Sequence, residues 1–271
     1  MGRKMMLTDP FFLKALLAGL LISVACGIVG SLVVVRRLTF ITGGIAHAVL
    51  GGVGVALFFN IAPVWGIFIS GQLAALILGI VSRKVKRYEE PIIAALWSVG
   101  MALGVLLAAL SPGYQSDLMS YLFGNILLIS HLDILNVVIL DAIIIIITSL
   151  FYKPLRIVCF DEEYAALRGL PTNFFYLLLL SLIALTVICV MRVVGLIMVI
   201  ALMALPPTMM LRHTNRLHVV MLGSSIISAA LIAAGLLISF RFDYPSGATI
   251  VLLTGLVFLV KTFISELRAK A

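Results

Sequence analysis

Residues 34–48 read VVRRLTFITGGIAHA and lie between two long apolar segments of the chain. Arg36 and Arg37 end the first apolar segment, and a pair of glycines precedes His47 in the second. Clustered basic residues in a short loop are typical of the cytoplasmic side of a membrane. A histidine inside a membrane helix is costly and usually functional. The stretch therefore predicts a membrane-embedded helical hairpin that carries a functional histidine.

The composition extends this prediction to the whole chain. The 271 residues are 63% hydrophobic and 11% charged, and the mean hydropathy is +1.26. Soluble domains are about half apolar and a quarter charged. Apolar segments of about 20 residues, the length of a membrane span, recur at 11–35, 44–60, 62–81, 92–110, 131–151, 174–191, 193–211, 219–240 and 246–264. We therefore predict an all-α, polytopic integral membrane protein with about eight to nine transmembrane helices, forming one domain over residues 1–271.

The basic residues predict how the chain is threaded. If the nine segments alternate, every basic cluster falls on one side, which the positive-inside rule makes cytoplasmic: 36–37, 83–87, 153–168, 212–216 and 268–270. This arrangement predicts an N-terminus outside and a C-terminus inside. An eight-span version with one re-entrant segment remains open. The net charge of +8 follows from this topology and from attraction to anionic lipid, so no nucleic-acid partner is predicted.

His47 has two interpretations. On a helix it shares a face with Gly43, Gly51 and Gly54, because positions three, four and seven apart lie together. Neutral imidazole is a good ligand for borderline metals such as zinc, so the histidine can line a metal path. A small-residue face also lets another helix approach closely, which would make His47 a hydrogen-bonded packing residue.

Asp141 is the second candidate, in the middle of the segment 131–151. A carboxylate at that depth must be paired or face water. It can supply a metal with an oxygen ligand, or it can form a buried pair or a protonated carboxyl group that bonds to a neighbouring helix. The cysteines Cys26, Cys159 and Cys189 are dispersed and indicate neither a disulfide framework nor a structural zinc cluster.

The stretch 34–48 resembles the membrane permeases of metal-uptake ABC importers, which carry zinc or manganese. Residues 116–125 (SDLMSYLFGN) and the polar segment 161–171 (DEEYAALRGLP) resemble the same family. Relatives commonly have an aspartate four residues before the histidine, where this chain has Gly43. They also have an aspartate where this chain has Asn125. Retaining the imidazole without these acids favours zinc over manganese.

The outer mouth and the cytoplasmic side supply further candidates. Asp117, His131 and Asp133 lie near the predicted outer mouth, where they can draw in a divalent cation or act only as loop and helix-cap residues. Residues 152–173 form a predicted cytoplasmic coupling segment with a short helix that Asp161 to Glu163 can start and Gly169 can stop. The resemblance implies that this segment binds in a groove of an ATPase. Its coupling residues would be Asp161, Glu162, Glu163, Ala165 and Gly169. The alternative is a loop helix without a partner.

The expected function follows from the resemblance. The chain has no Gly-x-x-x-x-Gly-Lys-Ser/Thr loop, so ATP hydrolysis must come from a separate subunit. We expect a non-enzymatic permease in a prokaryotic inner or plasma membrane, paired with a second copy of itself, with ATPase subunits and with an extracellular metal-binding protein. Its cargo is a divalent metal, with zinc favoured, and no cofactor is permanently bound. Alternatives are a manganese or iron(chelate) permease and a stand-alone secondary carrier.

Overall fold

The structure is a computed structural model that describes residues 10–85, 88–111, 121–122, 124, 126 and 129–270. Its described part contains eleven α-helices. They are α1 (Pro10–Arg36), α2 (Thr39–Phe58), α3 (Pro63–Lys84), α4 (Glu89–Leu110), α5 (His131–Leu150), α6 (Tyr152–Phe160), α7 (Glu162–Leu167), α8 (Thr172–Val194), α9 (Leu196–Leu211), α10 (Leu217–Phe242) and α11 (Ser246–Lys270).

The predicted all-α, polytopic architecture is confirmed. Eight of the helices in the described part are long and apolar enough to cross a membrane. The remaining predicted segment, 193–211, corresponds to α9, whose 16 residues span about 24 Å at 1.5 Å per residue. This length falls short of a hydrocarbon core of about 30 Å. Only Gly195, with φ +85°, separates α8 from α9.

The helices at the centre of the bundle differ from those at its edge. Most of α1, α2 and α8 is buried inside the protein, whereas α4, α5 and α11 expose most of their surfaces. The exposed surfaces remain apolar, as shown by Leu106, Ile146 and Phe263, which are 58%, 63% and 68% exposed. Exposed apolar side chains around a packed interior suit a lipid environment, in which helices associate by packing rather than by the hydrophobic effect.

Members of four of the five predicted basic clusters converge at one end of the bundle, around α7. Arg36 at the end of α1 and Arg83 near the end of α3 both form ion pairs with Glu162 of α7. Arg156 of α6 and Arg216 before α10 line a cavity of about 390 Å³ against the same short helix. We call this end of the bundle the α7 end. Thr172 at the start of α8 accepts a hydrogen bond from Arg83, and Arg216 follows α9. The short α9 therefore carries the chain back to the α7 end and counts as a ninth segment in the alternation.

Candidate functional site

The helix that carries His47 packs against α4 through glycines. A Cβ atom added to Gly51 would lie 2.9 Å from the carbonyl oxygen of Gly100, and one added to Gly54 would lie 2.6 Å from that of Gly104. Such distances leave no space for a side chain at these positions. The glycine face predicted around His47 is therefore a close contact between two backbones.

His47 lies in this contact, covered by Trp97 of α4. The imidazole stacks on the indole with ring centroids 4.2 Å apart and an interplanar angle of 22°. Phe40, two turns closer to the α7 end on α2, lies on Trp97 with a centroid distance of 5.9 Å. His47 retains 8% of its surface exposed. The stack fixes the orientation of the imidazole and leaves only a narrow approach to it.

The hydrogen bonding of His47 is incomplete. Its Nδ1 atom is fully shielded and has no hydrogen-bond partner. A buried polar atom without a partner is uncommon and calls for an explanation. If His47 were a hydrogen-bonded packing residue, it would be closely packed and its ring nitrogens would be paired. The close packing is present, but Nδ1 has no hydrogen bond. Because Nδ1 is sealed, only Nε2 can face an approaching ion in this conformation.

Gly43 has no room for the aspartate that relatives carry. The six-membered ring of Trp97 lies directly over it, and an added Cβ would be 2.6 Å from Cζ3 and 3.1 Å from Cη2. The space that a carboxylate at position 43 would need is thus occupied by an aromatic ring.

Asp141 is deeply buried in α5, 5% exposed, and both of its carboxylate oxygens lack hydrogen-bond partners. It lies near enough to the thiols of Cys26 and Cys189 to interact with them electrostatically. The helix α5 packs against α1 and α8, whereas α2 packs chiefly against α4 and α3. Asp141 and His47 therefore belong to different parts of the bundle, and the structure does not unite them within one chain.

The structure describes two of the three residues predicted at the outer mouth, His131 and Asp133. His131 is exposed at the first position of α5. Asp133 forms a capping box with Ser130, whose hydroxyl lies 2.6 Å from Oδ2 and accepts a bond from the Asp133 amide. Asp117 lies outside the described residues. The structure thus gives Asp133 a capping role, and cation attraction by these three residues stays a prediction.

The coupling segment has the local structure that its sequence predicts. Asp161 caps α7 by accepting a 2.9 Å hydrogen bond from the Tyr164 amide, and Ala165 is completely buried. Gly169 has φ +74° and follows the end of the helix. Asp161 and Gly169 therefore bound a short helix, and Ala165 anchors it to the bundle.

The three acids of this segment have different environments. Glu162 pairs with Arg36, and its Oε1 lies 2.7 Å from Nη2 of Arg83. Asp161 is engaged in the helix cap, while Glu163 is exposed. Sequence reasoning treated these acids as one contact group, whereas the structure uses Glu162 to hold α7 against α1 and α3.

Sequence reasoning missed Trp97 completely. A signal was present, because Trp97 precedes Gly100 by three positions and Gly104 by seven and therefore shares their helix face. The Gly100–Gly104 spacing predicted a helix contact but did not identify the partner helix. Without that partner, Trp97 could not be assigned to His47.

Together, the apolar helices of the bundle define a polytopic membrane protein with a buried histidine in its second helix and a short helix at the α7 end. The chain matches the model of the ABC 3 transport family over residues 8–265. It is 40% identical over 250 residues to an uncharacterized membrane protein of Synechocystis sp., covering 92% of this chain and 89% of that protein.

Two further comparisons agree. The chain is 31% identical over 260 residues to the manganese transport system membrane protein MntC of Halalkalibacterium halodurans, covering 96% of this chain and 89% of that protein. It resembles the structure of PsaBC from Streptococcus pneumoniae in complex with Fab with a TM-score of 0.86 and 29% identity, covering 96% of this chain and 94% of that one. The chain therefore belongs to the ABC 3 transport family, and the resemblance recognised in its sequence is confirmed.

Proposed function

We propose that this chain is the membrane permease of an ABC importer that moves a divalent metal, most favourably zinc, into the cytoplasm. Family membership supports the permease role. The name of the Halalkalibacterium relative supports a metal cargo. Alternating access would carry the ion past His47, with energy supplied by a separate ATPase.

The observation that carries this proposal is the state of His47. Its imidazole is buried in the membrane part of α2, held flat against Trp97, and has no hydrogen-bond partner at Nδ1. The unsatisfied Nδ1 is costly for a packing histidine and for a metal ligand alike, so the support for a ligand role is the fixed imidazole with Nε2 as its remaining nitrogen. A metal ligand requires a neutral, oriented imidazole with one accessible nitrogen.

The ligand chemistry favours zinc. Imidazole suits zinc, whereas manganese prefers carboxylate, carbonyl and water oxygens. Position 43, one turn before His47, supplies no oxygen ligand in this chain. Manganese remains the second candidate, because MntC is a manganese transport protein by name.

A second copy of the chain would complete the site. Among the described residues, no group of three or more His, Cys, Asp and Glu residues can hold a metal. One chain thus offers a single imidazole at the level of His47. A symmetric pair would offer two, facing each other across a two-fold axis.

The α7 end would contact the ATPase. On α7, Leu167 is 88% exposed and Tyr164 is 43% exposed, and Glu163 lies beside them. An exposed aromatic and aliphatic pair with a charge at its edge is the composition of a protein interface. An ATPase bound there would make the α7 end cytoplasmic, with the N-terminus outside and the C-terminus inside, and the positive-inside rule supports the same orientation. An extracellular binding protein would deliver the metal at the opposite end.

The proposal is tested by transport. The chain is reconstituted in proteoliposomes with its ATPase and binding protein, and uptake of radioactive zinc and manganese is measured with and without ATP. ATP-dependent zinc uptake in excess of manganese uptake supports the proposal. Uptake of neither metal contradicts it, and equal or greater manganese uptake contradicts the choice of zinc.

A further inference from the structure

We propose that Trp97 is the residue that determines metal specificity at the level of His47. By filling the space beside Gly43 and covering one face of the imidazole, it keeps oxygen ligands away and favours a metal that accepts nitrogen. This inference rests on the proposed transport of a divalent metal past His47.

The first support is steric. The ring of Trp97 lies so close to Gly43 that an added Cβ would meet Cζ3 at 2.6 Å. Real Cβ contacts of this length do not occur without movement of the neighbour. The backbone of α4 is also held close to α2 one turn later, where a Cβ added to Gly100 would lie 2.8 Å from the carbonyl oxygen of His47. The tryptophan and a side chain at position 43 are thus mutually exclusive in this packing.

The second support is chemical. An indole face attracts a cation through its quadrupole but donates no lone pair. The same face occupies volume that water would otherwise fill, so an ion at His47 finds an imidazole and an aromatic surface on this side. Zinc tolerates such a nitrogen-rich, low-coordinate environment, whereas manganese requires more oxygen ligands.

The third support is that Trp97 differs from the other tryptophan. The chain contains two tryptophans. Trp65 is 61% exposed near the start of α3, a common position for an interfacial anchor. Trp97 instead stacks on a titratable group within the bundle. Trp65→Ala is therefore a matched control for Trp97→Ala.

The experiment compares zinc and manganese uptake by the reconstituted importer containing Gly43→Asp, Trp97→Ala, the double variant Gly43→Asp/Trp97→Ala or Trp65→Ala. Gly43→Asp alone is expected to abolish uptake of both metals, because its side chain has no space. In the double variant the carboxylate replaces the ring, and the manganese-to-zinc uptake ratio is expected to rise roughly 10- to 100-fold, the range seen when the surroundings of a metal ligand change. Trp65→Ala is expected to keep the wild-type ratio.

Two results would overturn the inference: a wild-type ratio in the double variant, or normal transport by Gly43→Asp with Trp97 in place. A spectroscopic measurement avoids dependence on the assembly of these variants. In Trp65→Phe, all tryptophan emission comes from Trp97, and zinc at concentrations that saturate uptake is expected to change it. Unchanged emission would also overturn the inference. If wild type imports no metal, the proposed function itself fails; if it imports zinc through His47 but the double variant keeps the ratio, only the role of Trp97 fails.

Discussion

Glu162 Oε1 lies 2.7 Å from Nη2 of Arg83 and so ties the start of α7 to the end of α3. The other carboxylate oxygen of Glu162 pairs with Arg36 at the end of α1. Because Arg37, which follows Arg36, turns the chain into α2 with φ +62°, this contact links α7 to the helix that carries His47. One carboxylate thus connects α7 to the ends of α1 and α3 and, through the turn at Arg37, to the start of α2.

Glu162→Gln is predicted to uncouple transport from ATP hydrolysis. The amide removes the charge that holds both arginines, while the exposed face of α7 stays unchanged. Metal uptake per ATP hydrolysed should fall by about fivefold or more, the lower end of typical coupling between sites, with unchanged copurification of the ATPase. The matched control is Glu163→Gln, which should keep that ratio. Equal ratios in the two variants would refute this role for Glu162.

Leu167→Ala is predicted to weaken ATPase binding about tenfold, because it truncates the most exposed apolar side chain of α7 at a proposed interface. Binding of the purified ATPase to the detergent-solubilised permease measures this effect. Leu132 is 72% exposed and lies at the start of α5, at the end of the bundle far from α7. The control variant Leu132→Ala should bind the ATPase normally. Equal affinity of both variants would place the docking surface elsewhere.

Gly100→Ala is predicted to destabilise the α2–α4 contact by about 1–3 kcal/mol, the usual cost of overpacking. The new methyl group would meet the backbone of His47 and Ala48 at 2.8 Å. Gly255→Ala, also in a helix but with nothing within 4 Å, should be neutral or stabilising by about 0.5–1 kcal/mol. Thermal unfolding in detergent compares the two, and a Tm that is no lower for Gly100→Ala than for Gly255→Ala would contradict this packing.

The native cysteines are predicted to be unreactive toward thiol reagents at neutral pH. All three are buried, and burial raises the pKa of Cys159 to about 12 despite the opposing charge of Arg36. The reactive thiolate is therefore scarce until the protein unfolds. Because the pKa of Cys159 in the folded protein lies above its ordinary value of 9.0, the neutral thiol favours folding below about pH 9, and this contribution is lost as the pH rises toward 12. Rapid maleimide labelling of the native protein at pH 7 would contradict the burial.

Because the native cysteines are predicted not to react, single introduced cysteines can report the topology. Ile61→Cys, in the turn between α2 and α3, should be labelled by a membrane-impermeant reagent in intact cells. Leu167→Cys should be labelled only after the membrane is opened. The reverse pattern would invert the proposed orientation.

The fold could be predicted from sequence because the bilayer imposes a simple length requirement. Apolar segments of about 20 residues identified the long helices, and Asp161 and Gly169 bounded α7 as expected, since caps act locally. The segment predicted at 193–211 is shorter as a helix, because α8 extends to Val194 and Gly195 separates it from α9, which leaves 16 residues.

The site could be predicted only in part, because its key contacts join residues far apart in sequence. His47 was recognisable from its glycine face, but Trp97 lies 50 residues later and its partner is set by helix packing. Glu162 illustrates the same point, since neither Arg36 nor Arg83 is near it in the chain. Local sequence predicted which residues carry charge but not which of these charges neutralise one another.

The central claim, that His47 contacts the transported ion, is tested most directly by ATP-dependent zinc uptake in proteoliposomes containing wild type, His47→Ala or His47→Gln. Glutamine keeps hydrogen-bonding capacity but is a poor zinc ligand. Both variants should lose zinc uptake about 10- to 100-fold while retaining normal assembly with the ATPase. Full transport by His47→Gln with loss in His47→Ala would show that the histidine acts only as a structural hydrogen-bonding residue, and would contradict the claim.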